Sequence, residues 1–265
     1  MAINVNDVYQ TVLLILNKEQ RGYMTPFEFN KIATQVQREI FEKYFEDLNQ
    51  QARIPQTEVD YSDRLRATEE KLEVFKTSTY PIYTNGGFDI PDNLYKLGNV
   101  TFRDFLEIPG QPGNYNFSTS YKEVQPVDRH EYNLAKLSPL TAPTKTFPIY
   151  LYENNKIYVS PTSINVGSTL LPYKEGCILI DYIKKPSDVV WGYTTGPLNQ
   201  YIYAPPGTTG IITPPTGSVD FELHTSEQTE VIINILFYAG VVIRDPQIVQ
   251  VASQKIAQDE LNEKQ

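Results

Sequence analysis

Apolar residues recur at helical spacing along the first third of the chain. Residues 5–16 have apolar positions three and four apart, and Asn4 just before them is a favoured helix cap. Residues 29–48 repeat the pattern after TPFE (25–28), a capping box with proline at the first helical position. A more charged segment, from about 63 to 75, has weaker periodicity. The pattern therefore predicts three N-terminal helices.

Short segments punctuated by proline and glycine replace this pattern from Tyr80 onwards. YPIYTNGGFDIP (80–91) predicts a hairpin with an Asn-Gly turn, and FPIYLYENNKIYVSP (147–161) predicts a second with Asn154-Asn155 at the bend. Residues 178–183 have the composition and alternation of a strand. We therefore expect residues 80–221 to form an antiparallel β-rich domain.

Residues 192–218 are rich in glycine, proline and threonine and predict a long loop. QYIY (200–203) and TGIIT (209–213) are candidate partners for a hairpin within it. Tyr201 and Tyr203 favour a contact role for this loop, because tyrosine is enriched at protein interfaces.

Helix is predicted again from Thr225. Residues 231–243 are apolar on nearly every side, so we expect this helix to be buried all round. The run is too short for a bilayer span, which needs about 20 apolar residues. Asp245-Pro246 ends it, and a last helix follows with a narrow apolar stripe suited to docking on a neighbour. The predicted interface residues are Tyr201, Tyr203, Ile248, Val249, Ala252 and Ile256.

Taken together, these elements predict an α+β chain. Helices in residues 1–79 and 222–265 are expected to form one helical bundle, with an antiparallel β-sandwich-like domain, residues 80–221, inserted between them.

Composition narrows the function classes. The net charge of -9 argues against binding of a nucleic-acid backbone, which requires basic residues to neutralise phosphates. The one cysteine, Cys177, excludes an internal disulfide and favours a small buried hydrophobe, because isoleucine and leucine follow it. The opening residues MAINVNDVYQ lack the basic and apolar regions of a signal peptide, so neither secretion nor membrane insertion is expected.

Catalytic and metal-binding patterns are weak in this sequence. Glu222, His224 and Glu227 do not have the spacing of metal ligands on a helix, and His224 is expected to flank a helix start instead. We therefore predict no enzymatic activity, no metal and no cofactor. Paired carboxylates leave glycoside hydrolysis open as an alternative, with Trp191 as a residue that could stack on a sugar.

Five segments, in this order along the chain, resemble structural proteins of tailed bacteriophages. They are NKEQRGYMTPFEFNKIATQVQREIFEKYFEDL, FDIPDNLYKLGNVTF, SPLTAPTKTFPIYLYENNKIYVSP, ILIDYIKKPSDVVWGY and VDFELHTSEQTEVIINILFYAGVVIRDPQIVQ. The likeness is to head–tail connector, adaptor or ring proteins of podovirus-like phages, including crAss-like phages, and covers residues 5–250.

This resemblance implies a virion structural protein made in the cytoplasm of the host bacterium. Many copies would form a ring that joins the portal to the tail and extends the DNA channel. The implied partners are further copies of the chain, the portal and other tail or ring proteins, with DNA passing through without specific binding. A tail-associated receptor- or glycan-binding β module is the main alternative, and a carbohydrate-active enzyme is a third.

Overall fold

The computed structural model of this 265-residue chain describes residues 2–18, 23–51, 59–107, 109, 115–164, 176–208, 217–243, 250 and 253–258. It is a mixed α and β structure with several antiparallel sheets, which confirms the predicted α+β class. The chain divides into two compact units: unit 1 contains Met1–Val74 and Pro186–Gln265, and unit 2 contains Phe75–Lys185.

Three of the α-helices with assigned ends follow one another near the N-terminus, and the other two lie among and after the strands. They are α1 (Val5–Lys18), α2 (Pro26–Gln51), α3 (Val59–Glu73), α4 (Arg129–Leu137) and α5 (Gln228–Ile243), with short 3-10 turns at Thr162–Ile164 and Thr225–Glu227. Residues 253–258 are also helical.

The strands are short, apart from two in unit 2. They are β1 (Ala2–Ile3), β2 (Lys76–Thr79), β3 (Tyr83–Thr84), β4 (Gly87–Asp89), β5 (Leu94–Glu107), β6 (Tyr115–Glu123), β7 (Gln125–Pro126), β8 (Ile149–Glu153), β9 (Lys156–Ser160), β10 (Ile178–Lys184), β11 (Tyr193–Thr195), β12 (Tyr201–Tyr203) and β13 (Phe221–His224).

Local side-chain hydrogen bonds fix where the first two helices begin. The Asn4 Oδ1 atom accepts from the backbone N–H of Asn6 at 2.8 Å, which confirms the predicted cap of α1. The Thr25 backbone N–H donates to Glu28 Oε2 at 2.9 Å, and the Glu28 N–H donates back to Thr25 Oγ1 at 3.3 Å. This reciprocal pair is the predicted capping box. Its hydrogen bonds lower the pKa of the Glu28 carboxyl.

The core of unit 1 lies where α1, α2 and α5 meet. The residues that α5 buries, Val231, Ile235 and Ala239, lie four apart and so form one stripe of that helix. The expectation that α5 is buried on every side is wrong. Among the residues of α5 whose burial is described, four other large apolar side chains are only half-buried: Ile232, Ile233, Leu236 and Phe237. The helices α1 and α2 both pack against α5, but they leave these side chains partly exposed.

Unit 2 contains two sheets that share one hydrophobic core. The strand orders are β2-β10-β5-β6 and β3-β4-β9-β8-β7, with every pairing antiparallel except β7 with β8. Phe88 and Ile157 from one sheet cluster with Phe102 and Ile180 from the other. Both predicted hairpins are confirmed, as β3–β4 and β8–β9. Cys177 is buried in this cluster, as expected.

Unit 2 ends earlier than the predicted β domain, which ran from 80 to 221. After Lys185 the chain binds to α2: the Val189 N–H donates to Thr34 Oγ1 at 3.1 Å, and the Gln37 amide donates to the Ser187 carbonyl at 2.7 Å. Strand β13 then pairs with β1 at the N-terminus. These non-local bonds place residues 186–221 in unit 1.

Candidate interaction surfaces

A two-stranded hairpin in unit 1 carries the predicted interface tyrosines. Strands β11 and β12 pair with Tyr193 opposite Tyr203 and Thr195 opposite Tyr201. The sequence pattern predicted a hairpin between Tyr201–Tyr203 and residues 209–213, which lie outside the described residues. The observed partner is instead β11. Because strand side chains alternate, Tyr193, Tyr201 and Tyr203 share one face, and Ile202 belongs to the other.

The tyrosine face of the hairpin is anchored on Trp191. The rings of Tyr193 and Tyr203 stack on the Trp191 ring at centroid distances of 6.0 and 5.8 Å, and the Tyr9 ring lies 4.5 Å from it on α1. Trp191 is almost fully buried, and its Nε1–H donates to Asn6 Oδ1 at 3.1 Å. Its role here is to pack the hairpin against α1, and the sugar-stacking role considered above would require an exposed ring.

The tip and outer face of the hairpin remain uncovered in the single chain. Leu198 is 88% exposed, Ile202 is 47% exposed and Tyr201 is 42% exposed. Tyr203 is half-buried by its stack on Trp191. Leu198 lies at the tip, whereas Tyr201 and Ile202 lie on opposite faces of the hairpin. Of the two predicted tyrosines, therefore, Tyr201 is available to a partner and Tyr203 chiefly supports the hairpin.

Carboxylates lie close to these tyrosines. Burial raises the pKa of Tyr203, and the negative charges of Asp220 and Asp7 raise it further against an opposing hydrogen bond from Ser218. Burial, Tyr23, Tyr201 and Glu28 raise the pKa of Tyr9 in the same way. Carboxylates therefore lie close to the rings of Tyr203 and Tyr9.

A second apolar surface occurs in unit 2, and the sequence analysis did not single it out. Tyr132 and Ala135 of α4 face the sheet, where Tyr132 is buried with Ile149 and Leu151. Leu134 and Leu137 lie on the opposite side of the helix. The exposed members of this segment are Leu134 (53%), Leu137 (80%), Leu140 (98%) and Phe147 (74%), and we call these four the leucine patch.

The sequence contained a signal for this patch. Helix α4 has apolar residues on two opposite sides, although a short helix on a sheet can bury only one. Residues 138–148 then contain three prolines, which disfavour a strand or a helix there. The same segment contains a leucine and a phenylalanine, and both are exposed.

The predicted C-terminal interface is described only in part. Ile248, Val249 and Ala252 lie outside the described residues. Ile256 lies in the helical segment 253–258 and is half-buried, between exposed neighbours.

The region around His224 forms a helix cap. The His224 Nδ1 atom accepts from the Ser226 N–H at 3.3 Å, so His224 itself is the cap of the 3-10 turn that leads into α5. Glu222 accepts from the Ser187 N–H at 3.2 Å, and Glu227 pairs with Lys71. Within the described residues, no group of three metal-ligating side chains could hold a metal ion.

Two carboxyl groups at the start of α5 form a network with two lysines. The Lys71 Nζ of α3 lies 2.6 Å from Glu227 Oε1, and the Lys43 Nζ of α2 lies 3.2 Å from Glu230 Oε1. Further along, the Tyr238 hydroxyl donates to Glu39 Oε1 at 2.6 Å, which raises the pKa of Tyr238 to about 12. These bonds link α5 to α2 and α3.

An open groove of about 560 Å³ lies within unit 2. Its polar lining includes Tyr80, Asp92, Asn154 and Asn155, together with the ion pair between Asp89 and Lys156 at 2.7 Å. Hydroxyl, amide and carboxylate groups around an aromatic ring are the groups that hydrogen-bond and stack on sugars.

No protein-family model matches the chain, and the search of curated proteins found no match. No helix in the described part of the chain has both the length and the apolar character needed to cross a membrane.

Proposed function

We propose that this chain is a virion structural protein of a tailed bacteriophage, a multi-copy ring subunit that joins the portal to the tail and extends the DNA channel. The leucine patch is the observation that carries the proposal. Leu134 and Leu137 are exposed on one side of α4, and Leu140 and Phe147 are exposed in the segment that follows it. Concentrations of exposed apolar side chains often mark surfaces that contact another protein. The resemblance to connector proteins supports the phage setting.

The architecture within this proposal is a helical bundle with an inserted β-sandwich-like domain. Two features support it. The buried stripes of α1, α2 and α5 belong to one unit. The hydrophobic core of the other unit contains residues from both of its sheets.

Charge supports passage of DNA without binding. Unit 1 has 22 acidic and 12 basic residues, whereas unit 2 has 10 acidic and 11 basic residues. A surface with this excess of carboxylates repels phosphates and releases no counterions on contact with DNA. The partners in this proposal are further copies of the chain, the portal protein and other ring or tail proteins.

Assembly is the property to test. We expect native mass spectrometry and negative-stain imaging of the chain with portal protein to show closed rings of many copies. A Leu137→Ser/Leu140→Ser variant should fold but fail to assemble, whereas the control Leu14→Ser, which removes an exposed leucine of α1, should assemble normally. A chain that stays monomeric with portal protein at high concentration contradicts the ring function.

A glycan- or receptor-binding module is the second candidate, and the groove of unit 2 is the observation that favours it. In that case the chain should bind immobilised host glycans, and Asp92→Ala should weaken binding without changing thermal stability, because Asp92 is exposed. Binding that survives Asp92→Ala and Tyr80→Ala would exclude the groove as the site.

A further inference from the structure

Asn85 and Gly86 form the two-residue turn between β3 and β4. Thr84 pairs with Gly87 across the hairpin, so both turn residues lie outside the strand pairing. Both are exposed, and both have a positive φ, 49° for Asn85 and 84° for Gly86. Within the part of the chain that the structure describes, no hydrogen bond involves the Asn85 side-chain amide. Water can therefore reach this amide, and no contact holds it in place.

The residue that follows an asparagine decides how readily the side-chain amide reacts with the backbone. The backbone nitrogen of that residue can attack the side-chain carbonyl carbon if the backbone rotates to bring the two atoms together. Glycine has no Cβ to oppose this rotation. A Cβ added at Gly86 would have no neighbouring atom within 4 Å, so nothing packed around the turn blocks the movement. Asn85-Gly86 is also the one Asn-Gly pair in the sequence.

The contacts that hold this hairpin lie outside its turn. The rings of Tyr83 in β3 and Phe88 in β4 lie 5.1 Å apart. Gly87 packs against the Tyr158 ring, where an added Cβ would lie 3.1 Å from a ring carbon. These contacts hold the two strands, although β3 is at the edge of its sheet. The rotation that the reaction needs is therefore a movement of the turn alone.

We propose that Asn85 is a spontaneous deamidation site, which water converts to aspartate and isoaspartate in the folded chain. The Gly86 nitrogen loses its proton and bonds to the Asn85 side-chain carbonyl carbon. The bond from that carbon to the amide nitrogen breaks, and ammonia leaves. Water then opens the succinimide ring: opening at the side-chain carbonyl gives aspartate, and opening at the backbone carbonyl gives isoaspartate, whose main chain runs through the β-carbon. One water is consumed and one ammonia released, with no oxidant or reductant.

The two products should affect the hairpin differently. Isoaspartate adds one atom to the main chain of a two-residue loop, and loop length sets the register of the strands that it joins. The Thr84 carbonyl and hydroxyl, next to the turn, accept hydrogen bonds from Lys156 Nζ at 3.2 and 3.0 Å. Displacement of Thr84 would break these bonds, so we expect isoaspartate to destabilise the hairpin. Aspartate tolerates the left-handed backbone as asparagine does, so that product should leave the turn in place.

The chain contains its own control for the reaction. Asn154 and Asn155 form the turn between β8 and β9, are exposed and have positive φ values of 50° and 58°, but no glycine follows either of them. The folded full-length chain is incubated in mildly alkaline buffer and sampled by peptide mapping with mass spectrometry. We expect Asn85 to lose its amide at least about tenfold faster than Asn154, because only Asn85 precedes a glycine. An isoaspartate-specific methyltransferase should label position 85 of the aged chain.

Two variants extend the test. Gly86→Ala should slow the loss of the Asn85 amide, and circular dichroism checks that this variant is folded, since a Cβ at a φ of 84° strains the turn. The comparison with Asn154 decides the result if it is not. Asn85→Asp should melt like the fresh wild type, whereas the aged chain that contains isoaspartate should melt at a lower temperature.

Three outcomes would overturn the proposal or its consequence. If the folded chain keeps the Asn85 amide while an isolated peptide of residues 80–91 loses it, the turn protects Asn85 and the site is wrong. Equal rates at Asn85 and Asn154 would also contradict the site, because the glycine would then have no effect. Equal melting of the fresh and aged chains would refute the effect of isoaspartate on the hairpin. None of these results depends on the ring function.

Discussion

The ammonium group of Lys71 lies 2.6 Å from the Glu227 carboxylate, whose side chain is only 8% exposed. Lys71 lies in the last turn of α3, and Glu227 immediately precedes α5, so this ion pair joins two helices far apart in sequence. Burial raises the pKa of Glu227, but the hydrogen bond and charge of Lys71 outweigh it and lower the pKa overall. Glu227 is therefore charged at neutral pH inside the unit 1 core.

Replacement of Lys71 should leave the Glu227 carboxylate buried without the positive charge and hydrogen bond that offset the cost of its burial. We expect Lys71→Met to lower the free energy of unfolding by about 2 kcal/mol, below the usual cost of breaking a buried pair because Lys71 is itself one-third exposed. Urea unfolding followed by Trp191 fluorescence measures it. Arg66→Met, which removes the exposed Arg66–Glu70 pair on the same helix, should change stability by about 0.5 kcal/mol or less. Equal effects of the two substitutions would contradict a special role for Lys71.

Glu227 and Glu230 should affect stability in opposite directions as pH changes. The lowered pKa of Glu227 means that its contribution is present above its unfolded pKa and is lost as pH falls through the folded pKa. Burial raises the pKa of Glu230, and Glu227 adds to this against the opposing charge of Lys43. The protonated form of Glu230 is therefore favoured in the fold, and stability from this group declines as pH rises through its folded pKa.

Two variants separate these contributions. Glu227→Gln should cost most at pH 7 and least below the folded pKa of Glu227. The melting temperature of Glu230→Gln should rise relative to that of the wild type as pH increases from the ordinary glutamate pKa towards neutrality. Melting temperatures of both variants across this acidic range measure the difference. Parallel profiles would show that the two carboxyls do not titrate in opposite senses.

The two hairpin tyrosines should have different roles: Tyr203 should stabilise the hairpin, and Tyr201 should contact a partner. Tyr203→Ala removes the ring stacked on Trp191, so we expect a loss of about 1–2 kcal/mol and a red shift of the fluorescence of Trp191, the one tryptophan in the chain. Tyr201→Ala should change stability by less than about 1 kcal/mol, because much of that ring is exposed, and should weaken assembly instead. Unchanged fluorescence in Tyr203→Ala would contradict the stack.

Features with local causes could be predicted from the sequence, and features with distant partners could not. The Thr25–Glu28 box and the Asn85-Gly86 turn depend on residues within a few positions, so their patterns sufficed. The pairing of β12 with β11 was missed because residues 209–213 offered a more apolar partner for β12 than Tyr193–Thr195 did. The Lys71–Glu227 pair joins residues more than 150 positions apart, which no local pattern records.

The leucine patch shows a different limit. Hydrophobic periodicity predicts which side of a helix packs on the protein itself, and Tyr132 and Ala135 fit that rule in α4. Leu134 and Leu137 are just as apolar, but their side chains are exposed to solvent. Sequence alone does not separate an apolar side that the chain buries from one that it leaves exposed. The exposed fractions in the folded chain make that distinction.

The centre of α5 gives the sharpest test of the unit 1 core. Ile235 is fully buried, whereas Ile233 on another side of the helix is half-buried. An aspartate at position 235 would place an unpaired charge among apolar side chains, at a cost of several kcal/mol, comparable with the whole stability of a domain. We expect Ile235→Asp to be unfolded or insoluble. The conservative Ile235→Val should remain folded and lose about 1 kcal/mol.

Ile233→Asp is the matched control, since it introduces the same charge two residues away on the same helix. Its carboxylate can reach water from a half-buried position, so this variant should fold with a smaller loss of stability. Circular dichroism during heating and urea titration distinguish the cases. If Ile235→Asp yields a soluble chain that melts cooperatively, Ile235 does not lie in the core, and the stripe of Val231, Ile235 and Ala239 must instead face another subunit.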